Sequence, residues 1–169
     1  MRAHTRLLAV PQEEAARARH EAGVAALARA LASTGAGERV RAIEALAAMV
    51  VNRLAAARAR RAPTSWGMGL AAAVAAPGLF PEGAVPHDAV LIATCRRIAA
   101  RAASGALPDP TGGAIAWHRS GTERPADAPA GEAVRIGGFV FLRAREEPAA
   151  EPQGWTAAEP QSARAAESG

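Results

Sequence analysis

The chain has 169 residues, half of them apolar, and a modest formal net charge of +4 at pH 7. All 20 basic residues are arginine, but they form no long basic block with interleaved aromatic residues, which argues against nucleic-acid binding. The single cysteine, Cys95, excludes an internal disulfide and a cysteine-rich metal site. The length predicts one domain that can bury a hydrophobic core.

Targeting and cofactor signals are missing from the sequence. Only four consecutive apolar residues precede Pro11, too few for a secretory signal peptide. No stretch reaches the roughly 18 apolar residues of a transmembrane helix. We therefore expect no signal peptide and no membrane span. No cluster of His, Cys and carboxylates has metal-ligand spacing, and no glycine-rich phosphate loop follows a strand, so we also expect no metal and no cofactor.

The first half of the sequence predicts helices. Residues 12–33 are rich in Ala, Leu, Arg and Glu at helical spacing, until a turn containing two glycines interrupts the pattern at 34–38. The stretch 40–53 is apolar almost all round, which places this helix in the middle of the domain. Residues 1–22 are predicted to form an N-terminal helical extension.

The second half predicts one more helix and two strands. Residues 62–86 are rich in Pro and Gly and predict a loop around a short apolar segment. Asp88 offers an N-cap for a helix over 89–103. Short strands are predicted at 114–118 and 139–143. These elements together predict a mostly helical α+β fold with a small antiparallel sheet.

The end of the sequence has a different composition. Residues 146–169 are rich in Ala, Pro and Glu and have no hydrophobic periodicity. Such a composition cannot bury enough apolar surface to offset the entropy of ordering. We expect a disordered tail there.

Five segments occur in an order that is characteristic of one family. They are Ala26-Leu27-Ala28-Arg29 before the Gly37-Glu38 turn, Val40 to Arg53 with its closing Asn52-Arg53, Ala76-Pro77-Gly78-Leu79-Phe80, Leu107-Pro108-Asp109-Pro110-Thr111-Gly112-Gly113-Ala114, and Ile136-Gly137-Gly138-Phe139-Val140-Phe141. In this order they resemble the SleB/CwlJ-type cell wall hydrolases. The resemblance covers 23–145 and implies a lysozyme-like fold that cleaves the glycan strands of peptidoglycan.

The resemblance also places a catalytic acid, and here the chain departs from the family. The family's first turn reads Glu-Ala-x-Gly-Glu, and its first Glu is taken to be the acid. Ungapped counting puts Thr34 at that position and Glu38 at the second Glu. A threonine hydroxyl cannot supply the proton that a carboxylic acid in an apolar pocket supplies. Glu38 is therefore the candidate for a substitute acid, and the alternative is that it only complements the dipole of the following helix.

Two further positions differ from the family. Phe139 stands where the family often has His, and Arg119-Ser120 stands where the family usually continues Asn-Pro. Directly before Arg119, Trp117 and His118 are candidates for a glycan subsite together with Thr34. An indole face stacks well on a sugar ring, and an imidazole titrates near neutral pH. The alternative is a tryptophan in the core beside a solvated histidine.

Two functions therefore remain open. The first is a peptidoglycan hydrolase in which Glu38 is the acid. The second is a domain that kept the fold, lost the acid, and binds glycan or serves as a structural component of a larger assembly such as a phage-tail-like particle. Without an export signal, we expect the protein to stay in the cytoplasm until it is released or carried to the cell wall.

Overall fold

The computed structural model describes residues 6–59, 66–81, 83–126 and 128–144, so the predicted tail lies outside the described residues. Four helices and three strands follow one another in that part of the chain. They are α1 (Arg6–Thr34), α2 (Val40–Arg58), α3 (Leu70–Val74), α4 (Ala89–Ala103), β1 (Ala114–Arg119), β2 (Ala133–Ile136) and β3 (Phe139–Arg143). The strands form one small antiparallel sheet, which confirms the predicted mostly helical α+β class.

Helix α1 crosses the boundary that the sequence placed after residue 22. Every residue from 11 to 22 is exposed, and burial begins at Gly23. Beyond that point Leu27 and Leu31, one helical turn apart, are fully buried. The described part of the predicted N-terminal extension is thus the exposed first half of a single helix whose second half enters the core.

Helix α2 lies in the middle of the domain, as its apolar sequence predicts. It packs against the other three helices and against the sheet. Its buried residues are Ala42, Ile43, Ala45, Leu46, Ala47, Ala48, Met49, Val50, Leu54 and Ala57. The expectation that Asn52-Arg53 close this helix is wrong, because the helix continues to Arg58. Residues 54–58 are Leu, Ala and Arg, which are good helix formers, and contain no breaker.

Helix α4 forms over the predicted residues. The carboxylate of Asp88 accepts hydrogen bonds from the backbone N–H groups of Val90 (2.9 Å) and Leu91 (3.0 Å), which confirms the predicted N-cap. The predicted loop before it contains the short helix α3. None of the helices in the described residues is both long and apolar enough to cross a membrane.

The sheet has the strand order β1-β3-β2, and β2 was not predicted. Gly137 and Gly138 form the two-residue turn between β2 and β3, and Gly137 has a φ of +60°. Two short runs separated by Gly-Gly are typical of a β-hairpin, so the signal was present. Only the second strand of this hairpin, over 139–143, was predicted.

The first testable prediction concerns α2. Leu46 is fully buried, whereas Val40 at the start of the same helix is 52% exposed. We expect Leu46→Ala to lower the free energy of unfolding by about 2–5 kcal/mol, because it leaves a cavity in the core. The matched change Val40→Ala should cost less than about 1 kcal/mol. Urea denaturation of both variants measures the difference, and equal losses would contradict the central position of α2.

Candidate functional site

The turn at 34–38 joins α1 to α2 and carries both candidate acid positions. Thr34 is the last residue of α1 and only 1% exposed. Within the described residues its hydroxyl oxygen has no hydrogen-bond partner. Position 34, a candidate from the sequence, therefore holds a buried hydroxyl group that does not face an open groove.

Glu38 lies at the other end of this turn and points towards the β2–β3 hairpin. Its Oε2 accepts a hydrogen bond from the backbone N–H of Gly138 at 3.0 Å, and its side chain is only 17% exposed. A Cβ atom added to Gly137 or to Gly138 would overlap the Glu38 carboxylate. Glycine at both positions thus lets the hairpin approach the carboxylate closely, and Glu38 attaches the helical turn to the sheet.

Arg119, at the end of β1, contacts both ends of the same turn. Its Nη2 donates to the backbone carbonyl of Thr34 at 2.8 Å, and its Nη1 lies 3.8 Å from Oε1 of Glu38. The guanidinium also lies 5.2 Å from the centroid of the Phe139 ring, directly across the strand pair. Thr34, Arg119 and Phe139 therefore meet at one place.

The sequence showed Arg119 as a difference from the resembling family, but no role was predicted for it. The role of Arg119 could have been suspected from two differences taken together. Position 34 lacks the carboxylate that the resemblance would place there, and position 119 carries a guanidinium. No local pattern joins these positions, because 85 residues separate the hydrogen-bonded pair. The contact becomes visible only when the end of α1 and the end of β1 are placed side by side.

This cluster is poorly suited to proton donation. A general acid must carry a proton in the reactive complex and reach the leaving oxygen. One oxygen of Glu38 accepts a backbone N–H, and the other faces the guanidinium of Arg119. The hydroxyl of Thr34 is buried and is too weak an acid for this reaction. The contacts of Glu38 and Arg119 stabilise the fold. A substrate that used Glu38 as its proton donor would have to break them.

Trp117 lies beside the cluster, on the face of the sheet that packs against the core. Its indole Nε1 donates to the carbonyl of Leu79 at 2.8 Å. Its ring is 5.1 Å from Phe139 in an edge-to-face arrangement and 6.2 Å from Phe80. Trp117 and Phe80 are both half-buried. The tryptophan thus packs against the core without being fully enclosed by it.

His118 is on the opposite face of β1, because successive residues of a strand point to opposite sides. Its Nδ1 lies 3.0 Å from the carbonyl of Arg119 and 3.5 Å from the hydroxyl of Thr122. The structure thus brings Trp117 to the neighbourhood of Thr34 and Glu38 and takes His118 away from it. The period-2 alternation of a strand was enough to predict this separation.

Asp109 organises the turn that leads into β1. It accepts hydrogen bonds from the backbone N–H of Thr111 (2.8 Å), the hydroxyl of Thr111 (2.6 Å), the backbone N–H of Gly113 (2.7 Å) and Nδ2 of Asn52 (2.9 Å). Desolvation by burial raises the pKa of Asp109, but these hydrogen bonds outweigh it and hold the pKa below its ordinary value. Asn52 also donates to the carbonyl of Ala114, so the turn fixes β1 against α2.

Two cavities of about 800 and 900 Å³ lie elsewhere on the molecule. The first is lined by residues of all four helices, and the second by α2, the turn at 112–113, residues 130–132 and the end of β3. Neither has a lining residue from the 34–38 turn. Across the described ranges, no group of three or more His, Cys, Asp or Glu side chains is arranged to hold a metal ion.

The hydrogen bonds of Asp109 predict an acid-sensitive fold. Because the folded-state pKa lies below the ordinary 3.8, the ionised carboxylate stabilises the fold above that pH, and this stabilisation is lost as the pH falls through the lowered pKa. Asp109→Asn should lower the free energy of unfolding by about 1 kcal/mol at pH 7. It should also flatten the decline in stability as the pH falls below 3.8. Denaturant titrations across this range test both effects, and parallel curves for the two proteins would refute the assignment.

The two buried threonines predict opposite responses to the same substitution. Thr111 is fully buried, and its hydroxyl donates to Asp109 and accepts from the N–H of Ala114. Thr111→Val should cost about 1–3 kcal/mol, because it leaves those partners without a bond. Thr34→Val removes a buried hydroxyl that has no partner among the described residues, and it should be neutral or stabilising by up to about 1 kcal/mol. Thermal or urea unfolding compares the pair; a large loss in Thr34→Val would show that its hydroxyl makes an essential bond.

Comparison of the chain with models of protein families, with curated proteins and with solved structures finds no match. Its function must therefore be argued from the residues and geometry of the site. The candidate site is the cluster of Thr34, Glu38, Arg119 and Phe139, with Trp117 beside it.

Proposed function

We propose that the chain is a peptidoglycan-directed domain of the cell wall hydrolase type that binds glycan strands and does not cleave them. The observation that carries this proposal is the chemistry at the end of α1. Thr34 is buried at the position of the family's acid, and the neighbouring carboxylate of Glu38 is held by Gly138 and Arg119. A domain with this arrangement would keep the fold of the family but would lack an acidic side chain that is free to donate a proton at this place.

The peptidoglycan part of the proposal is supported by the segments that resemble the family. They contribute Leu27 and Leu31 of α1, the buried face of α2, Leu79 and Phe139 to one hydrophobic core. The turn at 109–114 is attached to α2 through Asn52. Segments that lie far apart in the sequence thus form one packed unit, as a shared lysozyme-like scaffold requires.

Cleavage is disfavoured because two residues that differ from the family, Thr34 and Arg119, contact each other. A glutamate at position 34 would place a carboxylate beside the guanidinium of Arg119, which now donates to the backbone of that same residue. An adjacent cation favours the ionised form of a carboxylate and so opposes its use as a proton donor. The arginine therefore fits a site that no longer needs an acid, and Glu38 has taken a structural role in attaching the hairpin.

The surface that we propose for glycan contact is formed by Trp117 and Phe80. Their ring centroids are 6.2 Å apart with the planes tilted by 41°, and both side chains are half-buried. Aromatic side chains combine a large apolar area with little conformational entropy to lose, so they suit stacking against the apolar face of a sugar ring. His118 lies on the other face of the sheet and is not part of this surface.

Binding is tested by co-sedimentation of the full chain with purified, insoluble peptidoglycan. We expect the chain to sediment with the polymer and Phe80→Ala to weaken binding by about fivefold to tenfold, since loss of one stacking contact of about 1 kcal/mol has that effect. His118→Ala, on the opposite face, is the matched control and should bind like the parent.

Two results would contradict this proposal. A parent chain that stays in the supernatant at all polymer concentrations would exclude glycan binding. Loss of binding in His118→Ala with full binding in Phe80→Ala would place the glycan on the opposite face of the sheet. Circular dichroism of each variant establishes that the fold is intact before its binding is compared.

A further inference from the structure

A groove of about 800 Å³ lies where the four helices meet, far in sequence from the 34–38 turn. Its apolar lining includes Val51 and Leu54 of α2, Leu70 of α3, and Met68 in the loop before α3. Met68 is 62% exposed. A flexible thioether at the mouth of a groove adapts readily to an incoming apolar group.

The charged side chains that line this groove are basic. Arg19 and His20 approach from α1, and Arg58 approaches from the last turn of α2. All three are exposed, and no acidic residue is among the described residues that line the groove. An apolar floor below a basic rim suits a segment that combines acidic side chains with an aromatic one.

The sequence after Ala144 has that chemistry. Residues 145–169 contain five glutamates and two arginines, whereas the whole chain has a net charge of +4. Trp155 is the only aromatic residue in this segment and its only large apolar one. Its nearest acidic neighbours, Glu151 and Glu159, lie four residues to either side.

The point at which the described fold ends is close to the groove. Ala144 lines the second cavity, and this cavity shares Ala55 of α2 with the groove. Trp155 follows Ala144 by eleven residues, which in extended form span up to about 36 Å. The connection is therefore long enough to pass around the C-terminal half of α2.

We propose that the acidic segment of this chain, residues 146–159, binds in the groove between the four helices. Trp155 inserts against the apolar floor next to Met68, and the flanking glutamates pair with Arg19 and Arg58. An arginine near an indole also gains from a cation–π contact. The inference concerns a surface distinct from the glycan surface at Trp117, so either proposal can fail without the other.

The test is an intrachain cross-link in the full chain. Ala59→Cys places a thiol at the groove, Gly154→Cys places one beside Trp155, and the native Cys95 is fully buried. A short bis-maleimide should join the two new cysteines within one molecule. Reversing the groove charges with Arg19→Glu and Arg58→Glu should slow this cross-link by about fivefold to tenfold, and Trp155→Ser should slow it by a similar factor.

The matched control reverses two charges outside the groove. Arg41 and Arg96 are exposed and do not line the groove, so Arg41→Glu with Arg96→Glu changes the net charge equally. This control should cross-link at the parent rate. Equal rates in the two charge-reversed proteins would overturn the proposal, as would a parent that forms only links between two molecules on a denaturing gel.

Discussion

The attachment of α2 to the sheet at two places is the constraint on which the rest of the structure depends. Just before the helix begins, Glu38 accepts the N–H of Gly138 in the hairpin turn. Within the helix, Asn52 donates to Asp109 and to the start of β1. Three short strands are marginal on their own. Fixed to this central helix at two places, they complete the core with Phe139 and Phe141.

This constraint also decides what the site can do. The carboxylate that could have replaced a missing acid is the one that holds the hairpin, and the arginine that pairs with it also binds the backbone of Thr34. Moving Glu38 towards a substrate would break its hydrogen bond to the part-buried N–H of Gly138 and would cost about 1 kcal/mol. Structural and catalytic use of Glu38 therefore compete, and the geometry of the described residues favours the structural one.

Much of the fold could be predicted from the sequence because its signals are local. Helical spacing predicted α2, and an aspartate before an apolar run predicted the N-cap of α4. The role of Arg119 could not be predicted, because its contact with Thr34 joins residues 85 positions apart. The contact of Glu38 with Gly138 spans 100 positions. Strand β2 could have been predicted, because a Gly-Gly pair between two short runs indicates a hairpin. The separation of Trp117 from His118 could also have been predicted, because side chains alternate along a strand with a period of two.

The central claim is that the cluster around Thr34 and Glu38 does not cleave glycan, and release of soluble muropeptides from purified peptidoglycan tests it most directly. The parent chain and Glu38→Gln are incubated with the polymer at equal concentration, and the supernatants are analysed by mass spectrometry. We expect no product above the buffer control from either protein. Products released by the parent and abolished by Glu38→Gln would show that Glu38 is a working acid and would contradict the account.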